Sequence, residues 1–127
     1  MNALVIDDSK AMRRIIGSIV KGLGFQITEA GDGLEGLEDL EANPEKYEVV
    51  LVDWNMPNMN GFEFIKAVRA QPRFDKLLMV MVTTETEPAK MAQALMAGVD
   101  EFVMKPFTQE VLIEKLQLIG VQFPSVT

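Results

Sequence analysis

The 127 residues, 48% hydrophobic and 24% charged, have the size of one ordinary domain and enough apolar material to bury a core. With 12 Lys and Arg against 19 Asp and Glu the net charge is −7, which repels nucleic-acid phosphates and anionic lipid and favours protein partners with basic patches. The absence of Cys and His excludes disulfides, thiolate chemistry, imidazole zinc sites and Ser/His/Asp triads.

Glycines and prolines are scattered and no repeat or low-complexity segment is visible, so a single domain over residues 1–127 is expected, as a monomer. The N-terminus reads as neither a signal peptide nor a spanning helix, so a cytoplasmic address without membrane insertion is expected.

Five short apolar runs alternate with five stretches of helical period, the pattern of a parallel sheet with helices on both faces. The first run, residues 3–7, is apolar almost throughout, belongs in the middle of the sheet, and leads into Asp7 and Asp8. Ser9 reads as the N-cap of a helix over 10–23 whose inward residues are Met12, Ile15, Ile16, Ile19 and Val20, with Gly24 as the stop. Arg13 and Arg14 on this helix read as a solvated face. The second run, 25–30, is more polar and suits an edge. Gly31, Asp32 and Gly33 then form a turn and cap before a helix over 33–42.

The third run, 49–53, ends in Asp53, followed by a Trp54 expected to be partly exposed. A helix over 61–70 should point Phe62, Ile65 and Val68 inward. The fourth run, 77–83, ends in Thr83 and Thr84, and the next helix, 88–97, opens on Pro88 and closes at Gly98. The fifth, 101–104, runs into Lys105 and Pro106. The last helix, 108–119, should bury Val111, Leu112, Leu116 and Ile119. The methionines, among them Met79, Met81, Met91, Met96 and Met104, read as core filling.

In an open parallel sheet, ligands bind outside the carboxyl ends of the strands. Asp7, Asp8, Asp53, Thr83 and Lys105 all fall there. Three clustered carboxylates repel one another, and the remedies are protonation or a hard cation. Mg²⁺ suits the case, because it takes few carboxylates and keeps waters that substrate oxygens can replace. One carboxylate can then attack a phosphoryl group to give an aspartyl phosphate, with the hydroxyl and the lysine on the phosphoryl oxygens. A metal-dependent phosphatase would use the same chemistry, but such enzymes usually carry a D-x-D pattern after the first strand and a cap domain, whereas Asp7 and Asp8 are adjacent in a chain of 127 residues. A flavin or nucleotide-binding protein would need phosphate donors in the first loop instead of two carboxylates.

The segments VIDDSKAMRR, LVDWNMPNMNGFEF, MVTTE and VMKPFT occur in that order. On them, and over essentially its whole length, the sequence resembles the receiver domains of response regulators, most closely the single-domain chemotaxis regulators of the CheY type. The resemblance implies a flavodoxin-like, doubly wound α/β fold: a five-stranded parallel sheet in the order 2-1-3-4-5 with five helices, and a cis peptide between Lys105 and Pro106. It implies that Asp53 is the phosphoacceptor, that Mg²⁺ is held by Asp7, Asp8, Asp53 and the main-chain carbonyl of Asn55, that Thr83 is the switch hydroxyl, and that Lys105 pairs with the phosphoryl oxygens. Asn55 and Glu85 take the positions that tune phosphoryl lifetime. Phe102 stands at the aromatic switch position, where the nearest relatives have Tyr; a Phe there should already be buried without phosphate, because an exposed ring forfeits apolar burial. The implied partners are a histidine kinase as donor and an effector or motor protein that reads the face of helix four, strand five and helix five. The activity implied is that of a signalling receiver, not an enzyme on other substrates, which catalyses its own phosphorylation and dephosphorylation in chemotaxis or another phosphorelay.

Overall fold

A computed structural model of the chain describes residues 1–124. Five strands, β1 (Asn2–Ile6), β2 (Gln26–Ala30), β3 (Val49–Val52), β4 (Leu78–Thr83) and β5 (Glu101–Met104), alternate with five helices, α1 (Lys10–Gly22), α2 (Gly33–Ala42), α3 (Gly61–Arg69), α4 (Pro88–Ala97) and α5 (Gln109–Leu118). All pairings are parallel and the order is β2-β1-β3-β4-β5, the flavodoxin-like arrangement that the resemblance implies. The register sets Ile6 beside both Ala30 and Val52, Val52 beside Met81, and Thr83 beside Met104. The carboxyl ends of the strands therefore form one rim, and the residues that follow them share it.

Strand alternation divides the core in two. Leu4, Ile6, Val50, Val52, Met79, Met81 and Phe102 face a layer with α2, α3 and α4, while Ala3, Val5, Val49, Leu51, Val80, Val82 and Val103 face α1 and α5. Because both faces are covered, the inner strands β1 and β3 read as unbroken apolar runs, and the polar β2 lies at an edge. Side-chain caps start α1 (Ser9), α2 (Asp32), α3 (Asn60, with Glu63 completing a capping box) and α5 (Thr108). The Lys105–Pro106 peptide is cis.

Several inward assignments need correction. Ile15 is 50% exposed and Val111 is exposed, since an apolar stripe on α1 or α5 is wider than the arc that touches the sheet. On α3 the buried stripe is Phe64, Ile65 and Val68. Phe62, two residues and about 200° away from Phe64, is only half-buried. Met96 on α4 is 89% exposed and fills no core. Among the described residues, no helix is long and apolar enough to cross a membrane.

Candidate functional site

β1 delivers Asp7 to the rim. Its N–H donates to the Ala30 carbonyl on the neighbouring strand at 3.2 Å, and its Oδ1 accepts the Ser9 N–H at 2.9 Å just before α1 begins. β3 delivers Asp53 in the same way, with its N–H on the Ile6 carbonyl at 3.0 Å. β5 delivers Lys105, whose N–H donates to the Thr83 carbonyl at 2.9 Å. The backbone ladder is thus extended one residue past three strand ends, and this extension brings chain positions 7, 53 and 105 together.

The Lys105 ammonium lies between two carboxylates, 2.8 Å from Asp7 Oδ2 and 3.0 Å from Asp53 Oδ2. Partial burial pulls its pKa down, but the hydrogen bonds and charges of Asp7 and Asp53 prevail and hold it above the ordinary lysine value. Asp7 is almost wholly buried, Asp53 nearly so, and Asp8 is exposed. One oxygen from each of the three carboxylates falls within 4.8 Å of the others. A single ammonium does not neutralise three carboxylates, and the exposed Asp8 leaves the cluster open on one side. That donor set fits a hard cation that keeps part of its water shell.

The loop after Asp53 is held on several sides. Asp53 Oδ1 accepts the Trp54 N–H at 2.6 Å, and the Trp54 carbonyl accepts the Gly61 N–H at 2.8 Å, so the start of α3 sits directly against the strand end. A Cβ on Gly61 would stand 2.1 Å from the Asp53 carbonyl oxygen, which is why this position has no side chain. Asn58, at φ 66°, donates through Nδ2 to Asp32 Oδ2 at 2.6 Å, and the Gly33 N–H reaches the Met59 carbonyl at 3.1 Å. The loop is therefore tied to the N-terminus of α2.

This closure also corrects the reading of Trp54. Its ring is only 6% exposed and stacks on Phe62 with centroids 5.7 Å apart and planes 5° from parallel. The tight turn into α3 folds the ring into the core layer under α2–α4, and Phe62 covers it.

Thr83 is fully buried at the end of β4, and its Oγ1 accepts the Glu85 N–H at 3.1 Å. Glu85 turns to the start of α4, where its carboxylate accepts from the backbone N–H groups of Thr86 and Glu87, each at 3.1 Å, and pairs with Lys90 at 3.3 Å. The Glu87 N–H above all, then Lys90, holds its pKa below the ordinary carboxylate value. Asn55 is exposed in the β3–α3 loop. Phe102, beside Met81 in the sheet, is 7% exposed and packed in the same core layer as Trp54, the buried state expected for it.

Sequence reasoning missed Gly61, Asn58 and Arg13. A glycine at a helix start reads as a turn residue, and only the approach of the Asp53 carbonyl shows why it is there. Arg13 does not lie on a solvated face: its side chain is 18% exposed and donates to the Asp7 carbonyl at 2.6 Å and to Glu29 at 2.9 Å. Arg14, its neighbour, is exposed as expected.

A family model for the response regulator receiver domain matches residues 3–117. Chemotaxis protein CheY1 of Helicobacter pylori strain J99 is 46% identical over 120 residues, 94% of this chain and 96% of the relative. Chemotaxis protein CheY of Pseudomonas aeruginosa is 42% identical over 120 residues, 94% of this chain and 95% of its own. Among solved structures, the chemotaxis protein CheY4 of Vibrio cholerae superposes with a TM-score of 0.85 at 35% identity, covering 93% of this chain and 97% of that one.

Proposed function

Because this chain belongs to the response regulator receiver domain family, we propose that Asp53 is its phosphoacceptor and that Asp7, Asp8 and Asp53, with the main-chain carbonyl of Asn55, hold Mg²⁺. The observation that carries the reading is the pairing of Lys105 with both Asp7 and Asp53 at the mouth of an open three-carboxylate cluster.

An oxygen of the Asp53 carboxylate attacks phosphorus, the new O–P bond forms, and the bond from phosphorus to the donor breaks, with its electron pair leaving on the donor. Mg²⁺ bound at the cluster would offset the carboxylate charge and stabilise the charge on the phosphoryl oxygens. Lys105, already bonded to Asp53, needs only to exchange one carboxylate oxygen for a phosphoryl oxygen. The Thr83 hydroxyl accepts from the Glu85 N–H and so keeps its own proton free to donate to a phosphoryl oxygen. Its move toward the phosphoryl group loosens the tie to Glu85 and, through Glu85, the start of α4. Asn55, from the exposed loop, and Glu85, from the start of α4, tune access of water to the aspartyl phosphate.

In this reading the chain catalyses its own phosphorylation and dephosphorylation and acts in the cytoplasm as a signalling component in chemotaxis, the role named for the relatives. A histidine kinase supplies the phosphoryl group. An effector or motor protein reads the α4, β5 and α5 face. That face exposes Leu95, Met96 and Val111, and holds a cavity of 470 Å³ lined by residues that include Phe102, Met104, Phe107 and Lys115. Incubation with acetyl phosphate and Mg²⁺ should add one phosphoryl mass to the intact protein, and none to Asp53→Asn or after chelation. Addition that is independent of Mg²⁺, or unchanged in Asp53→Asn, would overturn the reading.

A further inference from the structure

The two bonds of Arg13 give α1 a task at the site. Its Nη1 donates at 2.6 Å to the main-chain carbonyl of Asp7, and its Nε pairs at 2.9 Å with Glu29 on the edge strand β2. The carbonyl it grips belongs to the peptide unit that joins Asp7 to Asp8. A peptide unit is planar, so fixing its oxygen fixes the plane from which Asp8 departs. Asp7 is held independently through its N–H, through Oδ1 on the Ser9 N–H, and through Oδ2 on Lys105. Asp8 is exposed, and its carboxylate takes its aim from the backbone that carries it. The planar fork of the guanidinium can serve two acceptors in fixed directions, and Glu29 sets which way the fork points.

We propose that Arg13, braced by Glu29, is a positioning residue that aims Asp8 into the metal site and thereby sets the affinity of the cluster for its divalent cation. The inference rests on the proposed function, since it presumes that the cluster binds Mg²⁺.

Charge and position predict opposite signs here, and this makes the inference testable. Arg13 is a cation near a cation site, so by Coulomb's law alone its removal should tighten Mg²⁺ binding. Loss of a residue that orients a ligand should weaken binding, by about tenfold or more. The test is an Mg²⁺ titration by calorimetry of the unmutated full chain, Arg13→Leu, Glu29→Gln and Arg14→Leu, with metal-free stability measured alongside by urea denaturation. Arg13→Leu should lose about tenfold in Mg²⁺ affinity, Glu29→Gln should lose less, and Arg14→Leu, which removes the same charge from an exposed neighbour, should bind as tightly as the parent or more so. Arg13→Leu with parental or tighter affinity overturns the inference, and so does a loss of metal-free stability without a change in affinity. If Arg13→Leu fails to fold, Arg13→Lys, which keeps the charge and loses the planar fork, decides, and unchanged affinity there is the contrary result. Absence of Mg²⁺ binding in the unmutated chain would instead overturn the proposed function.

Discussion

Lys105 Nζ stands 3.0 Å from Asp53 Oδ2 and bridges it to Asp7, so an ammonium already occupies the ground on which the phosphoryl oxygens of an Asp53 phosphate would be received. Its folded pKa lies above the ordinary lysine value despite partial burial. A group raised in the folded state contributes stability that is fully present below its unfolded pKa and is lost as pH rises through the folded one. The difference in unfolding free energy between the parent and Lys105→Met should therefore stay constant from pH 7 to about 10 and shrink above that. Denaturant titrations across this range check it; a difference that vanishes toward acid instead would contradict the assignment.

The three carboxylates within 4.8 Å of one another should make the metal-free protein less stable than it could be. Asp8→Asn removes one of the repelling charges at little structural cost, because Asp8 is exposed. Metal-free stability should rise by about 1 kcal/mol. Saturating Mg²⁺ should stabilise the parent and leave this variant almost unchanged. Urea denaturation with and without Mg²⁺ measures both effects, and equal stabilisation of the two proteins would remove Asp8 from the ligand set.

Two glycines near the site differ in what a methyl group would strike. At Gly61 it meets the Asp53 backbone at 2.1 Å, whereas at Gly36 it meets the end of the buried Ile6 side chain at 2.4 Å, which can yield by repacking where a backbone cannot. Gly61→Ala should cost about 2 to 3 kcal/mol and slow phosphorylation, and Gly36→Ala should cost less on both counts. Denaturation and acetyl phosphate kinetics would show it; a Gly61→Ala protein as stable and as fast as the parent would mean that the α3 start can move freely.

Phe102 is buried among apolar side chains that include Met79 and Met81. A hydroxyl placed there without a partner costs about 1 to 3 kcal/mol, so a Tyr ring should be pushed outward. In Phe102→Tyr without phosphate, the new ring should be accessible to solvent by NMR or crystallography. A ring that stays buried, with no loss of stability, would contradict this account of the position.

The sheet order came from the resemblance, but the alternation of elements and the placing of Asp7, Asp53 and Lys105 on one rim were legible in the residues, because each simply follows an apolar strand. Phe102 was legible through the resemblance, which put it at the aromatic switch position, and through the apolar burial that an exposed Phe ring would forfeit. Trp54 was not: its burial depends on the close approach of Gly61 to Asp53, a contact with no local pattern. Ile15 and Val111 misled because helical periodicity reports a stripe and not how much of it the narrow sheet can cover. Arg13 was read as solvated because its acceptor lies six residues back on a main-chain carbonyl, and no spacing rule marks such a pair. Met96 looked like core because methionine is apolar, yet it lies on the outward side of α4.

The most direct test of the account is to locate the phosphoryl group. The protein phosphorylated by acetyl phosphate with Mg²⁺ is reduced with borohydride, which converts an aspartyl phosphate to homoserine, and the peptides are sequenced by mass spectrometry. The account predicts homoserine at position 53 alone. Homoserine at position 7 or 8, or none in a protein that has gained the phosphoryl mass, would contradict it.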